Sequence, residues 1–116
     1  TDFTAKLVDV SPDGRAVNLT DGIVRARYRT PRTPASLIEI GQVIEYTIDM
    51  SATSNLFRRG HRIRLEISSS NYPRFDRNTN TGEPIGTDSS FVPALQTIYH
   101  TSEYPSHVIL PVVPRP

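Results

Sequence analysis

Residues 62 to 67 alternate strictly between charged and apolar side chains, and this alternation constrains the fold more than any other feature of the chain. The charged residues hold one phase and the apolar residues the other: Arg62, Arg64 and Glu66 against Ile63, Leu65 and Ile67. A period of two predicts a β-strand with one face on a core and one face in water. Because no segment shows convincing helical periodicity, we expect a protein of strands and turns.

Other short apolar segments, bounded by turn signals rich in Pro and Gly, resemble this strand. We predict further strands over residues 3–10, 16–19, 24–28, 44–50, 95–100 and 108–113. A change of phase at Val8 indicates a β-bulge in the first of them. Turn signals at Ser11–Gly14 and Thr20–Gly22 separate the first three strands. Pro34–Ile40 has room for a single helical turn.

The connections between these strands indicate the architecture. Short strands with Pro- and Gly-rich turns and no long helix predict an all-β, antiparallel β-sandwich or barrel. Thr30–Pro34 is a Pro-rich crossing, and Ser68–Pro93 is an irregular loop longer than the ~12–15 residues that compact domains usually allow. Long crossings favour Greek-key or jelly-roll connectivity. We therefore expect a single domain over residues 1–116 with a jelly-roll sandwich.

Composition excludes several classes of protein. A net charge of +1 gives no basic excess for nucleic acid. The absence of cysteine excludes disulfides, thiol catalysis and thiolate metal sites, and it fits a cytoplasmic location. No apolar run has membrane-spanning length, so no membrane partner is expected. Since the chain enters a strand almost directly after Thr1, we expect it to be part of a longer protein.

No residue is assigned to catalysis, to a metal or to a cofactor. A serine hydrolase of the α/β type needs a G-x-S-x-G elbow, and the closest spacing here, Gly82–Gly86, has Pro at its centre. Asp76, Asn78 and Asn80 alternate like the start of a calcium loop, but the later positions of that motif do not match. Short oxygen side chains at this spacing are more typical of Asx turns.

Histidine and arginine residues also have structural explanations. We expect His61, at the start of its strand, to hydrogen-bond a nearby backbone group. Arg25, Arg27, Arg29 and Arg32 form a basic stripe that could bind anions. The exposed outer face of an edge strand is the preferred interpretation, because charged edges discourage sheet-to-sheet association.

The segment Asn71–Gly82 is the candidate interface. It combines aromatic, arginine and asparagine side chains: Tyr72, Arg74, Phe75, Arg77, Asn78 and Asn80. Aromatic and arginine residues on a polar loop are the usual anchors of a protein–protein contact. The alternative, a loop that packs on its own sandwich, remains open at this point.

The block Phe57–Gly82, FRRGHRIRLEISSSNYPRFDRNTNTG, resembles the C-terminal β-domain of the X-prolyl dipeptidyl-peptidase and cocaine-esterase-like serine hydrolases. The likeness extends over nearly the whole chain, through TDFTAKLVDV at the start and PSHVILPVVP near the end. Ser11 departs from the pattern, since an aromatic residue is common there. This departure leaves the resemblance intact.

The resemblance implies a jelly roll of the galactose-binding-like kind that packs on an α/β-hydrolase domain carrying a Ser-Asp-His triad. It also implies that the first strands of the jelly roll precede Thr1. The chain alone is then inactive and acts as an accessory domain that buttresses the catalytic domain and shapes the active-site entrance. An uncovered sheet edge would favour homo-oligomers.

Two other functions are compatible with a β-sandwich. A carbohydrate- or ligand-binding module would need exposed aromatic residues on a concave face or a calcium site, and the chain has no tryptophan. A stand-alone structural or oligomerisation domain is the third class. A nucleophile elbow encoded upstream of Thr1 would distinguish the hydrolase interpretation from both.

Overall fold

A three-stranded antiparallel sheet forms the framework of residues 1–114, which are the residues described by the computed structural model. Strand β1 (Asp2–Val10) lies in the centre, with β2 (Ala16–Arg25) on one side and β3 (Arg62–Ser68) on the other. A 3-10 helix, Ala26–Tyr28, follows β2 directly. Residues 1–114 contain no α-helix, which confirms the all-β prediction.

The central strand β1 supplies most of the core. Ala5, Leu7, Val8 and Val10 are each at most 4% exposed. The pairing with β2 shifts register between Leu7 and Val8, which confirms the predicted bulge. A strand with neighbours on both edges and apolar residues in both phases is buried on both faces. The apolar residues of β1 therefore explain why this strand lies in the centre of the sheet.

A tight turn connects β1 to β2, as the sequence predicts. The Gly14 amide donates to the Ser11 carbonyl and the Ser11 amide to the Arg15 carbonyl, both at 2.9 Å. Gly14 has a φ of 90°, in the left-handed region that glycine occupies without strain. The Ser11 hydroxyl and the Arg15 amide both donate to the Asp13 carboxylate.

The prediction of a turn at Thr20–Gly22 is wrong, and so is the prediction of a separate strand at 24–28. Strand β2 runs without interruption to Arg25. Gly22 is buried because the backbone of Asp49 crosses directly above it, in the space that a side chain would fill. Glycine is needed here because two chain segments approach closely. Since glycine is also typical of turns, the sequence alone does not distinguish the two cases.

Three predicted strands form no ladder within residues 1–114. The segment 44–50 keeps the predicted alternation of burial, with its apolar residues half-buried and its polar residues exposed. The Tyr46 ring packs 4.9 Å from the ring of Phe3. For the segments 95–100 and 108–113, the described pairing is a single bridge between His100 and Pro105. A β-ladder requires a neighbouring strand as hydrogen-bond partner, and the alternation of apolar and polar residues does not show whether one is present.

Strand β3 is the exposed edge of the sheet. All seven of its residues are exposed, including Ile63, Leu65 and Ile67. Its described partner is β1 alone, in which Leu65 lies opposite the buried Leu7. An edge strand with one apolar phase is typical of a sheet that has a second layer against it. The arrangement is consistent with one part of a β-sandwich.

Two further expectations concern helices. Pro34–Ile40 contains no helical turn: residues 34–39 have no regular secondary structure, and Ile40 begins a turn. Within the described residues, no helix has the length and apolar character needed to cross a membrane.

Candidate functional site

The loop Asn71–Gly82 is anchored to the sheet through a buried carboxylate at the start of β1. Asp2 is 2% exposed and accepts a hydrogen bond of 2.6 Å from Arg25 Nη1. Its second oxygen accepts a 2.7 Å bond from Asn78 Nδ2. A buried charge requires such partners, because leaving it unpaired costs several kcal/mol. Asp2 therefore joins β1, the end of β2 and the loop.

The two asparagines of the candidate interface face inward. The Asn80 amide donates to Asn78 Oδ1 at 2.9 Å, which confirms the interpretation of this spacing as an Asx turn. Asn80 has a φ of 60°, a conformation that asparagine tolerates better than most residues. Its Nδ2 donates to the Val92 carbonyl at 3.1 Å. These residues shape the loop and fasten it to residues further along the chain.

The aromatic and arginine side chains of the loop face outward. Tyr72, Arg74 and Arg77 are exposed, and Phe75 is half-buried. The Arg77 guanidinium lies 4.4 Å above the centre of the Tyr72 ring. Arg74 lies 5.7 Å from the Phe75 ring, and its Nε is 3.4 Å from Asp21 Oδ1. The loop thus presents a prearranged aromatic and cationic surface, while its role as an interface stays a prediction.

The basic stripe does not form the solvated outer face of an edge strand, so that interpretation is wrong. Arg25, Arg27 and Arg29 are all part-buried, whereas Arg32 is exposed and lies in a turn outside any strand. Arg27 Nη2 donates to the Glu83 carbonyl at 2.9 Å, and Arg29 Nη1 donates to the Ser36 carbonyl at 2.9 Å. Loops leave many main-chain carbonyls without partners, and a guanidinium with five donors satisfies them. The stripe fastens loops to the end of the sheet.

A cavity of about 250 Å³ opens beside the outward face of the loop. Arg77 and Tyr72 line one side of it, and Phe91, 60% exposed, lines another. Asp88 also lines the cavity, and its Oδ2 accepts a 2.6 Å bond from the Thr81 hydroxyl. Asp88 Oδ1 is buried without a hydrogen-bond partner among the described residues.

Sequence reasoning missed Phe91 and Asp2. Phe91 is a lone aromatic residue in a Ser-rich stretch, and such a residue either packs inward or marks a contact surface. Asp2 pairs with Arg25 across the hairpin. The sequence signal for Asp2 was a carboxylate at a strand position that faces the core, with an arginine directly opposite on the next strand.

His61 contacts a carboxylate at the end of the sheet. His61 Nδ1 lies 2.8 Å from Asp9 Oδ1, so its partner is a side chain and the prediction of a backbone partner is wrong. Asp9 is within reach because β1 and β3 pair with Ile63 opposite Asp9. Residues 1–114 contain no cluster of three or more His, Cys, Asp or Glu side chains that could hold a metal ion.

Comparison with known proteins identifies the class of the domain. Residues 1–109 match the family described as the X-Pro dipeptidyl-peptidase C-terminal non-catalytic domain. The cocaine esterase of Rhodococcus sp. (strain MB1 Bresler) is 53% identical over 117 residues, covering 99% of this chain and 20% of that protein. The chain thus spans one fifth of the length of this relative. These matches confirm the resemblance seen in the Phe57–Gly82 block, and the chain belongs to the family of X-Pro dipeptidyl-peptidase C-terminal non-catalytic domains.

Proposed function

We propose that this chain is the C-terminal jelly-roll domain of a serine hydrolase that acts on acyl esters or X-Pro peptides. Its role is to buttress the α/β-hydrolase domain and to help shape the active-site entrance. The observation that carries the proposal is the match over nearly the whole chain to a domain family described as non-catalytic. The identity of 53% to a protein named as an esterase favours ester substrates.

The distribution of apolar surface supports a role inside a larger protein. Large apolar side chains stand exposed on β3 and on the loops after it, where Leu95, Ile109 and Val113 are at least 80% exposed. Exposed apolar surface of this kind is typical of sites that contact another domain. In the proposed protein, further strands complete the jelly roll beside β3, and the catalytic domain covers part of the loops.

The outward face of the Asn71–Gly82 loop is the proposed contact with the catalytic domain. Tyr72, Arg74 and Arg77 are exposed and Phe75 is half-buried, and all four are of the residue types that anchor protein interfaces. The inward bonds of Asn78 and Asn80 hold this face in place before contact. A preordered surface loses less conformational entropy on docking, which makes the contact tighter.

A test of the proposed function compares this chain with the protein that carries its catalytic domain. Both are assayed with short acyl-nitrophenyl esters and with X-Pro-nitroanilides. The larger protein is expected to turn over one of these substrates and to be blocked by a serine-directed inhibitor, whereas the chain alone shows only the buffer rate. Inhibitor-sensitive turnover by the chain alone would contradict the proposal. Inactivity of the larger protein on both substrates would contradict it as well.

A further inference from the structure

Arg77 differs from the arginines beside it in the fold. Arg25, Arg27 and Arg29 all donate hydrogen bonds to main-chain carbonyl oxygens: those of Asp76, Glu83, and Ala26 and Ser36 respectively. Arg77 is exposed and makes no hydrogen bond or ion pair within residues 1–114. Its guanidinium stacks on the Tyr72 ring, 4.4 Å from the ring centre. An ordered guanidinium with unused donors is prepared for a partner.

The cavity beside Arg77 limits the charge of that partner. Asp76 and Asp88 line the same cavity, so its three charged side chains sum to a net charge of −1. A carboxylate entering the cavity would meet two negative groups and one positive group. A neutral acceptor avoids this repulsion and still accepts from the guanidinium. The charge balance therefore favours carbonyl oxygens over an acidic side chain.

The remaining walls of the cavity indicate the shape of the partner. Phe91 lines the cavity with a ring that is 60% exposed. The cavity is open to solvent on its outer side, so the tip of a loop can enter it. Apolar surface beside a hydrogen-bond donor matches a short main-chain turn with an apolar side chain.

We infer that Arg77 binds main-chain carbonyl oxygens at the tip of a loop of the catalytic domain, with an apolar side chain of that loop against Phe91. The inference rests on the proposed function, because four fifths of the relative lies outside the matched region and supplies the partner. Arg77 would then do between domains what Arg25, Arg27 and Arg29 do within this one. Since the partner is uncharged, the contact depends little on ionic strength.

Hydrogen exchange of the protein that carries its catalytic domain tests the inference. Wild type is compared with Arg77→Ala and with the control Arg59→Ala, which removes another exposed arginine. In Arg77→Ala, one segment of the catalytic domain is expected to exchange about tenfold faster, the change that loss of a charge-assisted hydrogen bond produces. The control and wild type in high salt are expected to leave that segment protected.

Each other outcome overturns the inference. Loss of protection in wild type at high salt would identify a carboxylate partner. Faster exchange at the amides of Asn80 and Val92, which bond within this chain, would show that Arg77 supports its own loop. A third variant, Phe75→Ala, separates docking of the loop from the assignment to Arg77. If Phe75→Ala speeds hydrogen exchange in the catalytic domain but Arg77→Ala does not, the loop docks there and the assignment to Arg77 is wrong. If neither variant changes that domain, the docking itself fails.

Discussion

At the scale of single residues, the buried carboxylate of Asp2 is the most consequential side chain. It connects three elements through bonds to Arg25 and Asn78, and the bond to Asn78 spans 76 positions of the chain. Hydrogen bonds to a buried charge are worth more than neutral ones, and losing one partner leaves the other charge unsatisfied. The position of the candidate interface loop therefore depends on a residue outside the loop.

The substitution Asp2→Asn tests this dependence. Asparagine keeps the size and an acceptor for Asn78 but leaves the Arg25 guanidinium without a counter-charge. We expect a loss of about 2 kcal/mol in domain stability, below the ~3–5 kcal/mol of fully buried pairs because Arg25 is 22% exposed. The measurement is urea unfolding, with Asp49→Asn as control, because the Asp49 side chain is exposed and makes no hydrogen bond within residues 1–114. Equal midpoints for both variants would contradict the account.

The carboxylate of Asp13 gives a prediction about pH. The hydrogen bond from the Ser11 hydroxyl, followed by that from the Arg15 amide, lowers the pKa of Asp13 below its ordinary value of 3.8. A lowered folded-state pKa means that the turn gains stability above pH 3.8 and loses it as pH falls through the folded-state value. Carbon NMR of labelled aspartate carboxyls should show the lowered pKa, and Ser11→Ala should return it toward 3.8. An identical pKa in both proteins would contradict this cause.

At the scale of elements, sequence patterns predicted some strands well and others poorly. Strands β1 and β3 were located to within a residue, because alternation and flanking turn residues agree there. The interior of β2 was misread because Asp21-Gly22 signals a turn and a close approach equally. For 44–50, alternation predicted the burial but could not supply a bonding neighbour.

The local geometry of the candidate interface loop was predictable in part. The spacing of Asn78 and Asn80 predicted the Asx turn, whereas the role of the loop as an interface stays a prediction. The direction that each side chain faces depends on contacts with Asp2 and Val92, which are distant in sequence. The local sequence pattern does not reveal such distant contacts. The inward position of the asparagines and the position of Phe91 beside the cavity are therefore visible only in the structure.

Gly22→Ala tests the crossing of two segments above β2. The added methyl group would overlap the carbonyl oxygen of Asp49, which is backbone and cannot rotate away. We expect the domain to lose ~1–3 kcal/mol, the usual cost of overpacking. Val17→Ala, in an exposed part of the same strand, serves as the control and should change stability little. Unchanged unfolding of Gly22→Ala would show that the segment 44–50 does not pack there.

At the scale of the whole molecule, the exposed edge of β3 determines how the chain behaves alone. Unpaired strand groups beside Ile63 and Ile67 favour pairing with another strand. We predict that the free chain self-associates at micromolar concentration, and sedimentation velocity measures this. Ile67→Lys, which places a charge among the exposed apolar side chains of the edge strand, should reduce association. A monodisperse monomer with a sharp cooperative melt would show that the sheet needs no further strand.

The central claim, that the Asn71–Gly82 loop docks on a catalytic domain, is tested most directly by hydroxyl-radical footprinting of the protein that carries that domain. Tyr72 and Tyr28 have the same chemistry and similar exposure within this chain, 59% and 53%. The account predicts that Tyr72 is oxidised several times more slowly than Tyr28, because the partner domain covers it. Equal oxidation of the two tyrosines would contradict docking through this loop.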